Sequence, residues 1–288
     1  MALEWRRPVS RSARHMQEGL QLLTEAAKAA QLLGDERQEE RLLGQLGRAS
    51  MALRNWPEAS DYLGRAFVIA AEVGDLQGKA SHLGNLGQIQ LELKNPQEAA
   101  SHFQDALRIA ESIPDPQMVG RLQASLGLAK LRSQMETGYS WDRMREAIEL
   151  FQTALKIARE TGDRRGEASH FGCLGNAYEL MGSMNVSLPP FVGGSPYPME
   201  EENRRTRYRE DLERANQESY LEAFEYYSAA FSMASQIGDV AARESFQADL
   251  WRTGRLAGLD MMSGGGVNWN TWMRNHPDKP VPGFRYRK

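Results

Sequence analysis

Residues 35–74 read DERQEERLLGQLGRASMALRNWPEASDYLGRAFVIAAEVG, and residues 75–114 read DLQGKASHLGNLGQIQLELKNPQEAASHFQDALRIAESIP. Laid over one another, they match Leu46-Gly47 with Leu86-Gly87, Asn55 with Asn95, Glu58-Ala59 with Glu98-Ala99, and Ile69-Ala70 with Ile109-Ala110. The period of 40 residues is punctuated by Gly34-Asp35, Gly74-Asp75 and Pro114-Asp115. Glycine closes a helix in the left-handed conformation, and aspartate caps the first amides of the next. Pro116 suits a first helical position, where its missing N–H is not needed. Two further marks, Gly162-Asp163 and Gly238-Asp239, follow at intervals of 48 and 76 residues. Helical signals recurring at this period denote a stacked array of helical hairpins.

Each unit reads as a helix A, a turn and a helix B. In 35–74, helix A carries Leu43, Leu46 and Met51 and stops at Asn55; helix B opens at Trp56-Pro57. Asn55 with Glu58, and Asn95 with Glu98, have the spacing of a capping box. The unit 115–162 repeats the pattern with Leu126-Gly127, Glu146-Ala147, Phe151 and Ala154. Its eight extra residues fall around Glu136 to Trp141 and are expected to lengthen the turn. The unit 163–238 has Leu174-Gly175 and Tyr178, then an insertion over 185–217. That insertion starts with loop chemistry at Pro189-Pro190 and Gly193-Gly194. From Met199 to Ala215 it is a charged helix expected to run into helix B at Glu222-Ala223, Tyr227 and Ala230. The stretch 14–34 reads as a helix B whose helix A is missing or irregular, and 239–260 as a capping helix A. In the latter, Trp251 replaces the glycine. A basic arm, 1–13, and a tail, 261–288, complete the chain.

Gly47, Gly87, Gly127 and Gly175 stand mid-helix, where each costs about 1 kcal/mol relative to alanine. Recurrence in register implies an offsetting gain: close approach of helix A to helix B, with Ala59, Ala99, Ala147 and Ala223 as the small residues facing them. Ala66, Ala106, Ala154 and Ala230 then admit the next unit, while Leu46, Leu86, Phe103, Phe151 and Tyr227 fill the grooves between layers. No unit buries its face alone, so stability comes from stacking.

Leu-Gly in helix A, Glu-Ala early in helix B, Ala-x-x-x-Ala further on and the closing Gly-Asp resemble the tetratricopeptide repeat. The 40-residue form is similar to the long repeats of kinesin light chains, LGN/Pins-type spindle adaptors and several ciliary proteins. The resemblance spans 14–260. It implies an all-α, right-handed α-solenoid of helix-turn-helix repeats, here with a helical insertion and an extended tail. It also implies a non-catalytic scaffold in a larger assembly, with cytoplasmic, cytoskeletal or ciliary placement. A reversible peptide adaptor and an organelle-targeted assembly factor are the alternatives. The family's aromatic one turn after Leu-Gly is present only as Tyr178; Ser50, Gln90 and Lys130 stand in the other units.

Composition sets the outer limits. The chain has 288 residues, 35 Lys and Arg against 38 Asp and Glu, and a net charge of −3, which points to neither nucleic acid nor a membrane surface. The lone Cys173 cannot form an internal disulfide and fits a reducing compartment. No apolar run approaches the ~20 residues of a membrane span. Arg6, Arg7, Arg11 and Arg14, opposed only by Glu4, loosely resemble an organelle-targeting peptide; an ordinary basic arm is the other reading.

No catalytic constellation, cofactor motif or metal set emerges. His82 and His170 occupy equivalent places in separate units, too far apart to share a metal, and read as buried or groove-lining residues. Cys173 has only His170 near it in sequence, a nucleophile would need both an activating base and an anion hole, and it reads as a packing residue. Glu36, Glu39 and Glu40 lie at a helix start, where negative charge favours the dipole.

A binding surface remains. The resemblance places partners on the concave face lined by the A helices, which maps to Arg41, Arg48, Asn85, Gln88, Arg121, Ser125, Asn176 and Arg252. This surface is neutral to basic and favours a protein segment bearing carboxylates or free carbonyls. A side-chain amide such as Asn85 can satisfy both the N–H and the C=O of an extended backbone. The places of a chaperone-type carboxylate clamp hold Gly44, Arg48, Asn85, Arg121 and Ser125, so only Asn85 matches and Arg121 keeps the charge. In the tail, Trp269, Trp272, Phe284, Tyr286 and Arg287 have the composition of interface anchors. Such a segment could also stack on single-stranded nucleic acid, which the net negative charge disfavours. A second partner contact is therefore expected through the insertion or the tail.

Overall fold

The computed structural model describes residues 11–137, 140–183 and 198–257, and every element among them is an α-helix. Ten are described: α1 (Arg11–Leu33), α2 (Glu36–Ala52), α3 (Trp56–Glu72), α4 (Leu76–Glu92), α5 (Pro96–Ala110), α6 (Pro116–Thr137), α7 (Trp141–Thr161), α8 (Arg164–Gly182), α9 (Pro198–Gln236) and α10 (Val240–Leu256). The chain divides into two compact units after Ala129. In the first, α1 packs on α2, α2 on α3, α3 on α4 and α4 on α5. In the second, α7 packs on α8, α8 on α9 and α9 on α10. Neighbour-on-neighbour packing of this kind is the construction of an α-solenoid.

The punctuation works as its chemistry requires. Gly34, Gly74, Gly162 and Gly238 have φ between 69° and 73°. At such angles a Cβ would crowd the following carbonyl, so glycine closes the helix without strain. Asp75 then accepts from the Gly78 N–H at 2.9 Å and Asp163 from the Gly166 N–H at 2.8 Å. Asp35, Asp115 and Asp239 cap their helices in the same way.

The expected capping boxes do not form. Neither Asn55 nor Asn95 makes a side-chain cap hydrogen bond. Pro57 removes an amide that Asn55 would serve, and the Asn95 amide donates back to Gln90 Oε1 at 2.9 Å. The A–B turn is made one residue earlier, by Arg54 and Lys94, whose φ values are 57° and 64°. The eight additional residues of the third unit also go elsewhere than expected. α6 has 22 residues and α7 has 21, against 17 in both α2 and α3, so both helices grow rather than the turn between them. The insertion helix does run into helix B: α9 is continuous for 39 residues.

The core is built on the repeated alanines and one large side chain per helix B. Ala59, Ala66, Ala99, Ala106, Ala147, Ala154, Ala223 and Ala230 are all fully buried. What faces Gly47, Gly87 and Gly175 is not an alanine, as expected, but the large residue. A Cβ at Gly47 would lie 2.5 Å from Leu63 Cγ, one at Gly87 2.8 Å from Phe103 Cε1, and one at Gly175 2.8 Å from Tyr227 Cδ1. Each glycine is a hole that receives a knob from helix B. A second set of holes, unforeseen in the sequence, joins successive A helices: Gly44 receives His82, Gly84 receives Leu122 and Gly172 receives Phe246.

Candidate functional site

In the first unit, α2, α4 and α6 together line a groove of about 360 Å³. Five of the residues expected on the binding face meet there: Arg48 from α2, Asn85 and Gln88 from α4, and Arg121 and Ser125 from α6. Phe103 and Leu122, both buried, supply apolar lining, and Ser81 adds a hydroxyl. Phe103 is the same ring that fills the hole at Gly87, so the groove and the core share a side chain.

The polar groups of this groove are largely unspent. Among the described residues Arg48 and Arg121 make no ion pair, and the Asn85 amide makes no hydrogen bond. Gln88 makes one long contact to Glu92 at 3.4 Å. Two free guanidinium groups and a free amide over an apolar lining can receive carboxylates and an extended backbone.

The other three expected residues lie elsewhere. Arg41 hydrogen-bonds Gln38 Oε1 at 2.6 Å and lines a separate hollow beside Gly74 and Asp75. Asn176 and Arg252 line a hollow of about 260 Å³ in the second unit, where both are already engaged. Arg252 grips Glu179 through Nε at 2.6 Å and Nη2 at 2.8 Å, and Nη2 also donates to Asp249 at 2.8 Å. The Tyr227 hydroxyl lies 2.7 Å from Asn176 Oδ1 and 2.9 Å from Glu179 Oε2. Burial, reinforced by Glu179, pushes the Tyr227 hydroxyl far above its ordinary pKa. The Asp249 carboxyl is likewise raised, first by burial. This is a closed polar network binding α8, α9 and α10 together. Trp269, Trp272, Phe284, Tyr286 and Arg287 of the tail lie outside the described residues, as does 185–197 of the insertion.

The histidines are interior. His82 pairs with Glu40, and both are buried. Glu40 lies near a helix start, where negative charge favours the dipole, yet it is turned inward. Its burial comes from Gly78, which leaves room for the carboxylate, and from Gly44, which leaves room for the imidazole. Glycines at 44 and 78 were the available signal. His170 is buried too, and desolvation lowers its pKa. Burial pushes the Cys173 thiol up to about 11, far from a reactive thiolate. Among the described residues no group of three or more His, Cys, Asp or Glu could hold a metal. No described helix is long and apolar enough to cross a membrane.

Residues 38–112 match the tetratricopeptide repeat family. Among solved structures, the crystal structure of BtubC (BKLC) from P. vanneervenii superposes with a TM-score of 0.63 at 13% identity, covering 95% of this chain and 96% of that one. At that identity the likeness is one of fold. No curated protein matches the chain.

Proposed function

Starting from the tetratricopeptide repeats at 38–112, we propose that this chain is a non-catalytic protein-interaction scaffold whose first unit takes an extended, carboxylate-bearing segment of a partner. One observation carries the reading: Arg48, Asn85 and Arg121, from three successive A helices, converge on one groove with their polar groups uncommitted. The engaged Arg252 and Asn176 contribute through structure rather than through direct contact.

The test is fluorescence anisotropy of labelled acidic peptides against the full chain. Asn85→Ala and Arg121→Ala should each weaken binding by about tenfold, the worth of one hydrogen bond to a charged group. Melting should be unchanged, because neither side chain has a partner to lose. Affinity indifferent to both substitutions removes the groove from the account. A fixed place in cytoskeletal or ciliary machinery is the narrower reading supported by the long-repeat resemblance, with a second contact through 185–217 or the tail. Salt-stable co-purification at constant stoichiometry distinguishes it from exchangeable peptide capture.

A further inference from the structure

The polar residues that converge on the groove do not stand at equivalent places on their helices. α2, α4 and α6 begin at Glu36, Leu76 and Pro116, so the 40-residue period holds in the structure as it does in the sequence. In that register Arg48 falls on Gln88, Asn85 on Ser125, and Arg121 on Ser81 and Arg41. Asn85 therefore lies three residues nearer its helix N-terminus than Arg48, and Arg121 four nearer than Asn85. At about 1.5 Å per residue, the two steps together descend about 10 Å along the helix axes. Across the axes, successive A helices are held close by their shared holes, Gly44 with His82 and Gly84 with Leu122. Packed helices lie about 8–10 Å apart, which puts α6 about 16–20 Å from α2. Arg48, Asn85 and Arg121 thus mark a diagonal of roughly 20 Å over the groove, with the amide at its middle. Gly84, Phe103, Met118 and Leu122 line the same groove, and no Asp or Glu among the described residues does.

We propose that the groove selects its partner by spacing: it takes an extended segment with two carboxylates about six residues apart and uncharged residues at the intervening positions on the same face. The proposal rests on the groove being the place where an acidic segment binds. An extended chain advances about 3.3 Å per residue, so about six residues cover the diagonal. Successive side chains point to opposite faces, so only an even separation presents both carboxylates to the groove. Each carboxylate then meets one guanidinium in a charge-assisted hydrogen bond. The Asn85 amide takes up the N–H and C=O of the stretch between them. The alternate residues of that stretch meet the apolar lining, where a charge would lose its hydration without gaining a partner. A helical segment would need its carboxylates about fourteen residues apart to span the same diagonal.

The probes are labelled peptides of equal length, net charge and composition on a serine–valine background, with two aspartates set two, six, ten or fourteen residues apart. In fluorescence anisotropy against the full chain, the spacing of six should bind at least about tenfold more tightly than each of the others, the worth of a second charge-assisted contact. In Arg48→Ala and in Arg121→Ala that preference should vanish and all four peptides should bind alike, because one guanidinium remains. Both side chains are exposed and without an ion pair among the described residues, so thermal melts of the variants should overlay wild type. Peptides that bind equally at every spacing, yet lose affinity in Arg121→Ala, overturn the spacing and leave the groove standing. Tightest binding at a spacing of two or ten overturns it as well, and at fourteen it would mean a helical occupant. A preference for six that survives both substitutions places the selection elsewhere and overturns the proposal. Absence of saturable binding by any of the peptides up to about 1 mM, the affinity of the weakest specific contacts, overturns the spacing and the groove together.

Discussion

A methyl group added at Gly87 would sit 2.8 Å from the Phe103 ring, and a leucine there has nowhere to go but into the space that ring holds. Phe103 is almost fully buried and also lines the groove, so it can yield only by shifting α5 against α4. Gly87→Leu is therefore expected to lower stability by about 1–3 kcal/mol, the usual cost of overpacking. Because the displaced ring leaves the groove, it should weaken acidic-peptide binding as well. A calorimetric melt within error of wild type would contradict the knob-and-hole account. The glycine itself was legible in the sequence, since an unfavourable residue repeated in register must have a cause. Its partner was not. Sequence shows which positions are small, but whether a small residue meets another or receives a large one depends on the rotation of the facing helix about its own axis.

At the scale of the helix, the two kinds of turn differ in how they were found. Between units, Gly-Asp announces the turn through residues that suit nothing else as well. Between helices A and B, the left-handed position falls on Arg54 and Lys94, for which the sequence carries no signal, and the neighbouring asparagines attracted the assignment instead. An L-residue in that conformation costs about 1–2 kcal/mol, and a glycine recovers this less an unfolded-state entropy of about 0.4–1 kcal/mol. Lys94→Gly should therefore raise stability by roughly 0.5–1 kcal/mol, read as a higher urea midpoint at unchanged slope. A lower midpoint would mean that Lys94 contributes more than its backbone angle suggests. The lengthened α6 and α7 follow the same logic. Helix propagation adds a hydrogen bond for each residue fixed, whereas a longer loop adds none, so eight additional residues with helical propensity extend the helices on either side.

At the scale of the whole chain, each stacked helix draws its stability from its neighbours. Among the described residues, α2, α3 and α4 are each packed on two sides, whereas α1 is packed by α2 on one. Hydrogen exchange followed by mass spectrometry should find α1 the least protected helix of the first unit. Protection of α1 equal to that of α3 would contradict the account of stability drawn from stacking.

The order of the helices, their ends at Gly-Asp and the small residues of their shared faces were determined by sequence alone, because capping, left-handed glycine and periodic burial are local requirements that residue types state directly. The convergence of Arg48, Asn85 and Arg121 on one groove, the diversion of Arg252 and Asn176 into a closed network, and the burial of Glu40 against His82 were decided by the tertiary structure. The reason is one of distance along the chain. His82 is 42 residues from Glu40, and Arg252 is 73 from Glu179. Whether a charge at such a separation is free or satisfied depends on helix rotation and stagger, which packing sets and no local pattern records.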